Sequence, residues 1–196
     1  MEAEIERRLE GPSSVVATDR LGKVRRIDDA RGRYIEFCKS TTPGLNLHGL
    51  KIVVDTANGA AYHITPDVLE ELGAEVVAIA NQPDGFNINL ECGSTKPEAL
   101  CRRVVAEGAD LGLALDGDAD RLIMVDDQGT LVDGDQLLYL IARDRQRRDR
   151  LNGGVVGPLI SNLGLVLGLQ ELDIPFPRAP IGHRSSRGPA ATRAPP

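Results

Sequence analysis

Residues 50–55, Leu-Lys-Ile-Val-Val-Asp, are almost continuously apolar around a β-branched centre. A strand of that kind has to be covered on both faces. The chain beyond it alternates in kind. Residues 66–72 read as a helix closed by Gly73, and residues 74–80 as a second β-branched strand. Residues 82–93 form a long loop punctuated by Pro83, Gly85 and Gly93. Thr95-Lys-Pro-Glu98 reads as a capping box with Thr95 as N-cap and proline in the first turn, opening a helix to Glu107. Residues 109–115 and 122–125 are further strands, 126–129 a turn and 136–143 a helix. Regular alternation of this sort specifies an α/β chain: a three-layer α/β/α domain with a mixed, largely parallel sheet and right-handed crossovers.

The flanks are less regular. Ile5 and Leu9, four apart, support a short helix. Asp28 or Asp29 can cap a helix running to Lys39 with Tyr34, Ile35, Phe37 and Cys38 on its apolar side. Residues 152–154 break the pattern, 155–160 can begin a new sheet, and 162–169 read equally as helix or loop. Beyond Pro175 the density of Pro, Ser and Arg leaves no room for a regular element. The last ~20 residues read as disordered or as an unnatural end.

Composition narrows the function. Aromatics are 3% and Trp is absent, so Leu, Val, Ile and Ala must build the core. No apolar run approaches the ~20 residues that span a bilayer, and residues 1–10 are too charged for a secretory signal. Cys38, Cys92 and Cys101 are odd in number and far apart, which points to free thiols in a reducing, cytoplasmic setting. Residues 1–142 carry 14 basic and 25 acidic groups, a net of -11, which argues against a nucleic-acid surface. The basic excess lies in residues 143–196, with 9 basic and 4 acidic groups, mostly in Arg143–Arg150, which reads as a solvated helix end or linker.

The chemistry concentrates in Asp116-Gly-Asp-Ala-Asp-Arg121, directly after an apolar strand. An extended run would project all three carboxylates to one side, and the small Gly117 and Ala119 let the backbone curl so that the oxygens converge. Clustered carboxylates repel unless neutralised, and Mg²⁺ suits three oxygens at ~2.0–2.1 Å while leaving room for a substrate phosphate. Asp116, Asp118 and Asp120 are therefore the candidate metal ligands, and Arg121 can offer its planar fork to phosphate. An EF-hand is excluded, because its sixth and twelfth positions would be Arg121 and Asp127. A Mg²⁺-dependent phosphatase, with Asp116 as nucleophile and Asp118 as acid, remains a rival, as does a non-catalytic metal-binding fragment. Asn58-Gly59 reads as a turn in preference to a phosphate-receiving helix start, and His48 and His63 as structural residues.

Beyond that loop, Gly32–Ile35, Lys51–Ala61, Cys92–Glu98, Leu131–Asp135 and, more weakly, Val155–Gly164 complete a pattern that resembles the α-D-phosphohexomutases, in particular their bacterial glucosamine-phosphate branch. The resemblance covers residues 30–176, and it implies that 1–40 are the end of a first domain with a connecting helix, 41–145 a complete α/β second domain, 146–176 the start of a third, and 177–196 an irregular tail, disordered or frame-shifted. It implies a multidomain isomerase that interconverts glucosamine 6-phosphate and glucosamine 1-phosphate through a phosphoserine, Mg²⁺ and a sugar bisphosphate. On this chain it implies metal binding by Asp116, Asp118 and Asp120, with Arg121 near the phosphate. The family's Ser-His-Asn-Pro loop has no counterpart, since Ser13, Ser14, Ser40, Ser94 and Ser161 all lack that context. Pro158 and Val166 stand where Thr and Glu are expected, and Arg178–Arg184 has His183 where the family has Asp. The chain is accordingly expected to be partial and inactive alone, with His183 an exposed tail residue.

Overall fold

The computed structural model describes residues 2–12 and 15–180. Two compact units are present, Met1–Tyr34 and Ile35–Pro196. The first holds helix α1 (Glu2–Leu9), on which Glu4 pairs with Arg7 and Arg8, and a single 3-10 turn at Thr18–Arg20. Helix α2 (Ala30–Ser40) runs across the boundary. Of its expected apolar side only Ile35 is buried; Tyr34 and Phe37 are 55% and 62% exposed. At 3.6 residues per turn Cys38 lies about 60° from Ile35 and is half-buried, whereas Tyr34 and Phe37 lie about 100° and 160° from it, on the open edge of the same broad face.

The second unit is built on strand β1 (Lys51–Asp55), followed by α3 (Ile64–Glu71), β2 (Glu75–Ile79), α4 (Glu98–Glu107), β3 (Leu111–Leu115), β4 (Leu122–Asp126), β5 (Leu131–Val132) and α5 (Gly134–Arg147). The sheet order is β2-β1-β3-β4-β5, with β1 parallel to both β2 and β3, and β4 antiparallel to its neighbours. Only β4 therefore runs against the others. The chain steps one way from β1 to β2 and back past β1 to reach β3. Two crossovers of one hand then place their helices on opposite faces. Ile52 and Val54 accordingly pack with Leu69 of α3, while Val53 packs with Leu100 and Val104 of α4. The β1 run is buried on both sides, as its composition requires. On β3, Gly112 sits under α4, where an added Cβ would press on Val104 and Leu100.

Helix ends show where local reading failed. Helix α4 starts at Glu98 behind Pro97, with no side-chain cap, so Thr95 does not act as its N-cap. Residues 93–97 are instead consumed by a turn: Gly93 has φ +75°, Ser94 N–H donates to Leu115 O, and Lys96 N–H to Gly93 O. The capping box occurs at α5, where Asp133 and Gln136 exchange side-chain-to-backbone bonds of 2.9 and 2.8 Å. It starts the helix two residues before the expected Gln136.

Past α5, strand β6 (Gly157–Pro158), helix α6 (Leu163–Glu171) and strand β7 (Arg178–Ala179) make a smaller parallel pair with one helix. Asn162 caps α6 by accepting from Leu165 N–H, which decides for helix at residues read equally as loop. Arg178–Ala179 corrects the expectation of an irregular chain after Pro175. Gly157 N–H reaches Pro177 O and Leu159 N–H reaches Ala179 O, and neither bond needs a donor from a proline. The remaining tail, including His183, lies outside the described residues. Ala142 of α5 shares a core with Leu165 and Leu169 of α6.

Leu100 is fully buried and Val105, on the same helix, is 55% exposed. Leu100→Ala is expected to cost about 2–5 kcal/mol in urea unfolding, and Val105→Ala less than about 0.5 kcal/mol.

Candidate metal centre

The parallel strands β1, β2 and β3 end at one edge of the sheet, where loops of an α/β sheet gather ligands. Asp55 closes β1 and is completely buried. Its Oδ1 accepts from Ala57 N–H and its Oδ2 from Gly93 N–H, both at 2.9 Å. Burial pushes its pKa up, with those two backbone bonds acting in the opposite direction. Thr56 Oγ1 and Asn58 N–H both donate to Ala80 O, tying the end of β1 to the end of β2. Asn89 N–H donates to Ala57 O, drawing in the long loop.

The β3–β4 connection rests on this shelf. Ala60 N–H donates 2.8 Å to Gly117 O, and Ser94 N–H donates 2.8 Å to Leu115 O. Gly59 lies so close that an added Cβ would overlap the Gly117 backbone, while one on Gly117 would meet Ile88 and Asn89. Asn58-Gly59 is thus a turn, with Gly59 N–H bonded to Thr56 O, and α3 begins only at Ile64.

Within the loop, Asp116 is 1% exposed, whereas Asp118 and Asp120 are open to solvent. One carboxylate oxygen from each lies within 4.8 Å of the others. The loop curls, as the small Gly117 and Ala119 permit, and the structure shows how. Ala119 adopts φ +62° and its N–H bonds back to Asp116 O, so a tight turn gathers the carboxylates. Arg121 Nε sits 2.6 Å from Asp116 Oδ2 and 3.7 Å from Asp120 Oδ1, and Arg121 N–H donates to Asp116 Oδ1. Burial works to raise the Asp116 pKa, but these bonds to Arg121 outweigh it and hold the carboxyl below its usual range. The Arg121 side chain is 67% exposed.

This donor set fits a hard cation. In an octahedral shell with ligand oxygens at ~2.1 Å, neighbouring oxygens are about 3.0 Å apart, so the observed spacing requires closure of up to about 2 Å. Two exposed side chains can supply it by rotating. A groove of about 620 Å³ between α5 and α6, lined by Asp133, Tyr139, Leu165 and Gly168 among others, contains none of these aspartates. The two carboxylates in its lining, Asp133 and Asp135, already accept from the N–H groups of Gln136 and Asn162. His48 Nδ1 is 2.6 Å from Asn46 Oδ1 and the ring of His63 lies against Tyr62; both contacts are local.

Sequence reading placed Asp116, Asp118, Asp120 and Arg121 in one loop and missed Asp55. The signal was available: a carboxylate ending an apolar strand must find donors or leave the core.

Fold and site define an α/β/α domain carrying an acidic, cation-type loop at its strand ends. Residues 32–129 match the family model described as phosphoglucomutase/phosphomannomutase, alpha/beta/alpha domain II, and residues 133–185 match domain III of the same family. The chain belongs to the phosphoglucomutase/phosphomannomutase family. More particularly, it is 70% identical over 94% of its length to the phosphoglucosamine mutase of Alcanivorax borkumensis, spanning 41% of that protein. The chain thus spans about two fifths of the curated relatives it matches. A Burkholderia thailandensis phosphoglucomutase/phosphomannomutase family protein superposes with TM-score 0.66 at 25% identity, over 78% of this chain and 33% of its own. Aspergillus fumigatus N-acetylphosphoglucosamine mutase, solved with GlcNAc-6P and magnesium, superposes with TM-score 0.58 at 19% identity, over 80% of this chain and 33% of its own, and shares the fold.

Asp55→Asn turns one acceptor oxygen into a donor facing a buried N–H. The expected loss is about 1–3 kcal/mol in urea unfolding at pH 7. The lowered Asp116 pKa contributes stability that is fully present above its unfolded value of ~3.9 and lost as pH falls through the folded one. Melting temperature measured in EDTA from neutral to acid pH should fall less steeply on the acid side for Asp116→Asn than for the parent.

Proposed function

We propose that this chain supplies the metal-holding domain, and the beginning of the next, of a phosphoglucosamine mutase. That enzyme interconverts glucosamine 6-phosphate and glucosamine 1-phosphate through a phosphoserine and a sugar bisphosphate. The observation that carries the reading is the convergence of three carboxylates at the strand ends of a chain so similar to such mutases. Asp116, Asp118 and Asp120 would hold Mg²⁺, which when bound offsets charge on a transferring phosphoryl group. Asp116 is the fixed point, buried and anchored by Arg121, and the exposed Asp118 and Asp120 complete the set. Arg121 spends Nε on Asp116, leaving its two terminal nitrogens to meet phosphate oxygens.

These 196 residues contain no Ser-His-Asn-Pro loop, so phosphoryl transfer needs a serine from elsewhere in the enzyme. A chain of these residues alone is expected to bind metal without turning over sugar phosphate. The free cysteines fit a reducing cytoplasm, and no helix among the described residues is long and apolar enough to cross a membrane. The aspartyl-phosphatase alternative is disfavoured by Asp116 itself: both of its oxygens are bonded to Arg121 and it is buried, which suits an anchor and hinders a nucleophile.

The test is thermal unfolding against Mg²⁺ concentration for the chain and for Asp118→Asn. A formed site raises stability by about 2.7 kcal/mol at a hundredfold excess over its dissociation constant. The parent should show this rise and the variant should lose it. An equal response from both would remove the aspartate loop from the metal's coordination.

A further inference from the structure

We propose that a groove at the C-terminal end of α5 binds a small phosphate-bearing anion of two or more negative charges. The groove is open to solvent, about 670 Å³, between residues 41–45 on one side and Asp144, Arg145, Arg148 and Arg150 on the other, all of them exposed. It shares no residue with the aspartate loop, so the inference stands apart from the proposed mutase activity.

Backbone geometry gathers the arginines. Helix α5 ends at Arg147, Asp149 takes a left-handed φ of 54°, and the chain folds back so that Arg150 N–H donates 2.8 Å to Arg145 O. Arg148 N–H reaches Asp144 O and Asp149 N–H reaches Gln146 O. This is the left-handed helix-closing turn, in which backbone donors satisfy the last carbonyls. Arginines at a helix end commonly serve those carbonyls; here the carbonyls of residues 144–146 are already bonded, and the guanidinium groups are released from that task.

The charges do not cancel. Asp144, the acid in the groove, is engaged by Arg148 Nε at 2.9 Å. Arg145 and Arg150 form no ion pair among the described residues, and the Thr42 hydroxyl, beside Thr41, has no hydrogen bond there either. Donors therefore outnumber acceptors, and two positive charges stand uncompensated in a chain of net charge -6. A phosphoryl group brings several acceptor oxygens in the geometry that guanidinium forks fit, whereas a monoanion balances half the charge. The patch is a single groove on an acidic chain, which favours a compact anion over a polynucleotide that needs an extended basic track.

Isothermal titration of pyrophosphate into the chain, in EDTA and at constant ionic strength, tests this. Saturable binding is expected. The double variant Arg145→Gln/Arg150→Gln should weaken it by roughly tenfold or more, the loss of one charge-assisted hydrogen bond being enough. Arg102→Gln, an exposed arginine on α4, should leave it unchanged. Four results would overturn the proposal: no saturable binding at millimolar pyrophosphate, an equal loss in Arg102→Gln, a loss confined to Arg121→Gln, or tighter binding of a single-stranded oligonucleotide with the same arginine dependence. The second is bulk charge, the third places the anion at the aspartate loop, and the fourth makes the groove a polynucleotide contact.

Discussion

The buried carboxylate of Asp55 joins two backbone segments far apart in sequence, through Ala57 N–H and Gly93 N–H, in a place closed to bulk solvent. Those segments in turn hold the aspartate loop, by Ala60 N–H to Gly117 O and Ser94 N–H to Leu115 O. Loosening the clamp would free both supports together, because each bond lies on the path from the core to Asp116. A site that must gather three negative side chains needs such a rigid floor, since the carboxylates themselves push apart. The close approach of Gly59 to Gly117 serves the same end by letting backbone rest on backbone.

The loop's electrostatics divide the labour among three chemically identical side chains. Asp116 meets a desolvation cost that Arg121 offsets, and its carboxyl stays ionised. Asp118 and Asp120 avoid that cost by remaining in water, at the expense of order. The arrangement combines one fixed carboxylate with two adjustable ones, which would suit the proposed hard cation sharing its shell with a phosphate. Arg121 is committed at Nε and free at its outer nitrogens, so one residue can both brace the metal loop and face an anion.

How far the sequence could be read depended on the range of the interactions involved. The β1 run, the alternation beyond it and the Asp116–Arg121 loop were all legible, because local apolar patterning and residue spacing encode them. Thr95 was misread because its neighbours were claimed by a bond to Leu115, twenty residues away on β3. The paired strand at Arg178–Ala179 was missed because β pairing with Gly157–Pro158 overrides a proline-rich local signal. Asp55 was passed over because its partners, one of them Gly93, become neighbours only after the sheet forms.

By itself, the sequence determined the α/β class, the order of strands and helices around β1 and the identity of the acidic loop, since each follows from composition within a few residues. Tertiary structure alone decided that the curl takes the form of a left-handed turn at Ala119, and that Asp116 is buried while its two companions are exposed. It also decided that Arg121 braces Asp116, and that Arg145 and Arg150 face one groove. The physical reason is common to all of these: side-chain charge is local information, but burial and pairing are properties of the space between segments that only folding brings into contact.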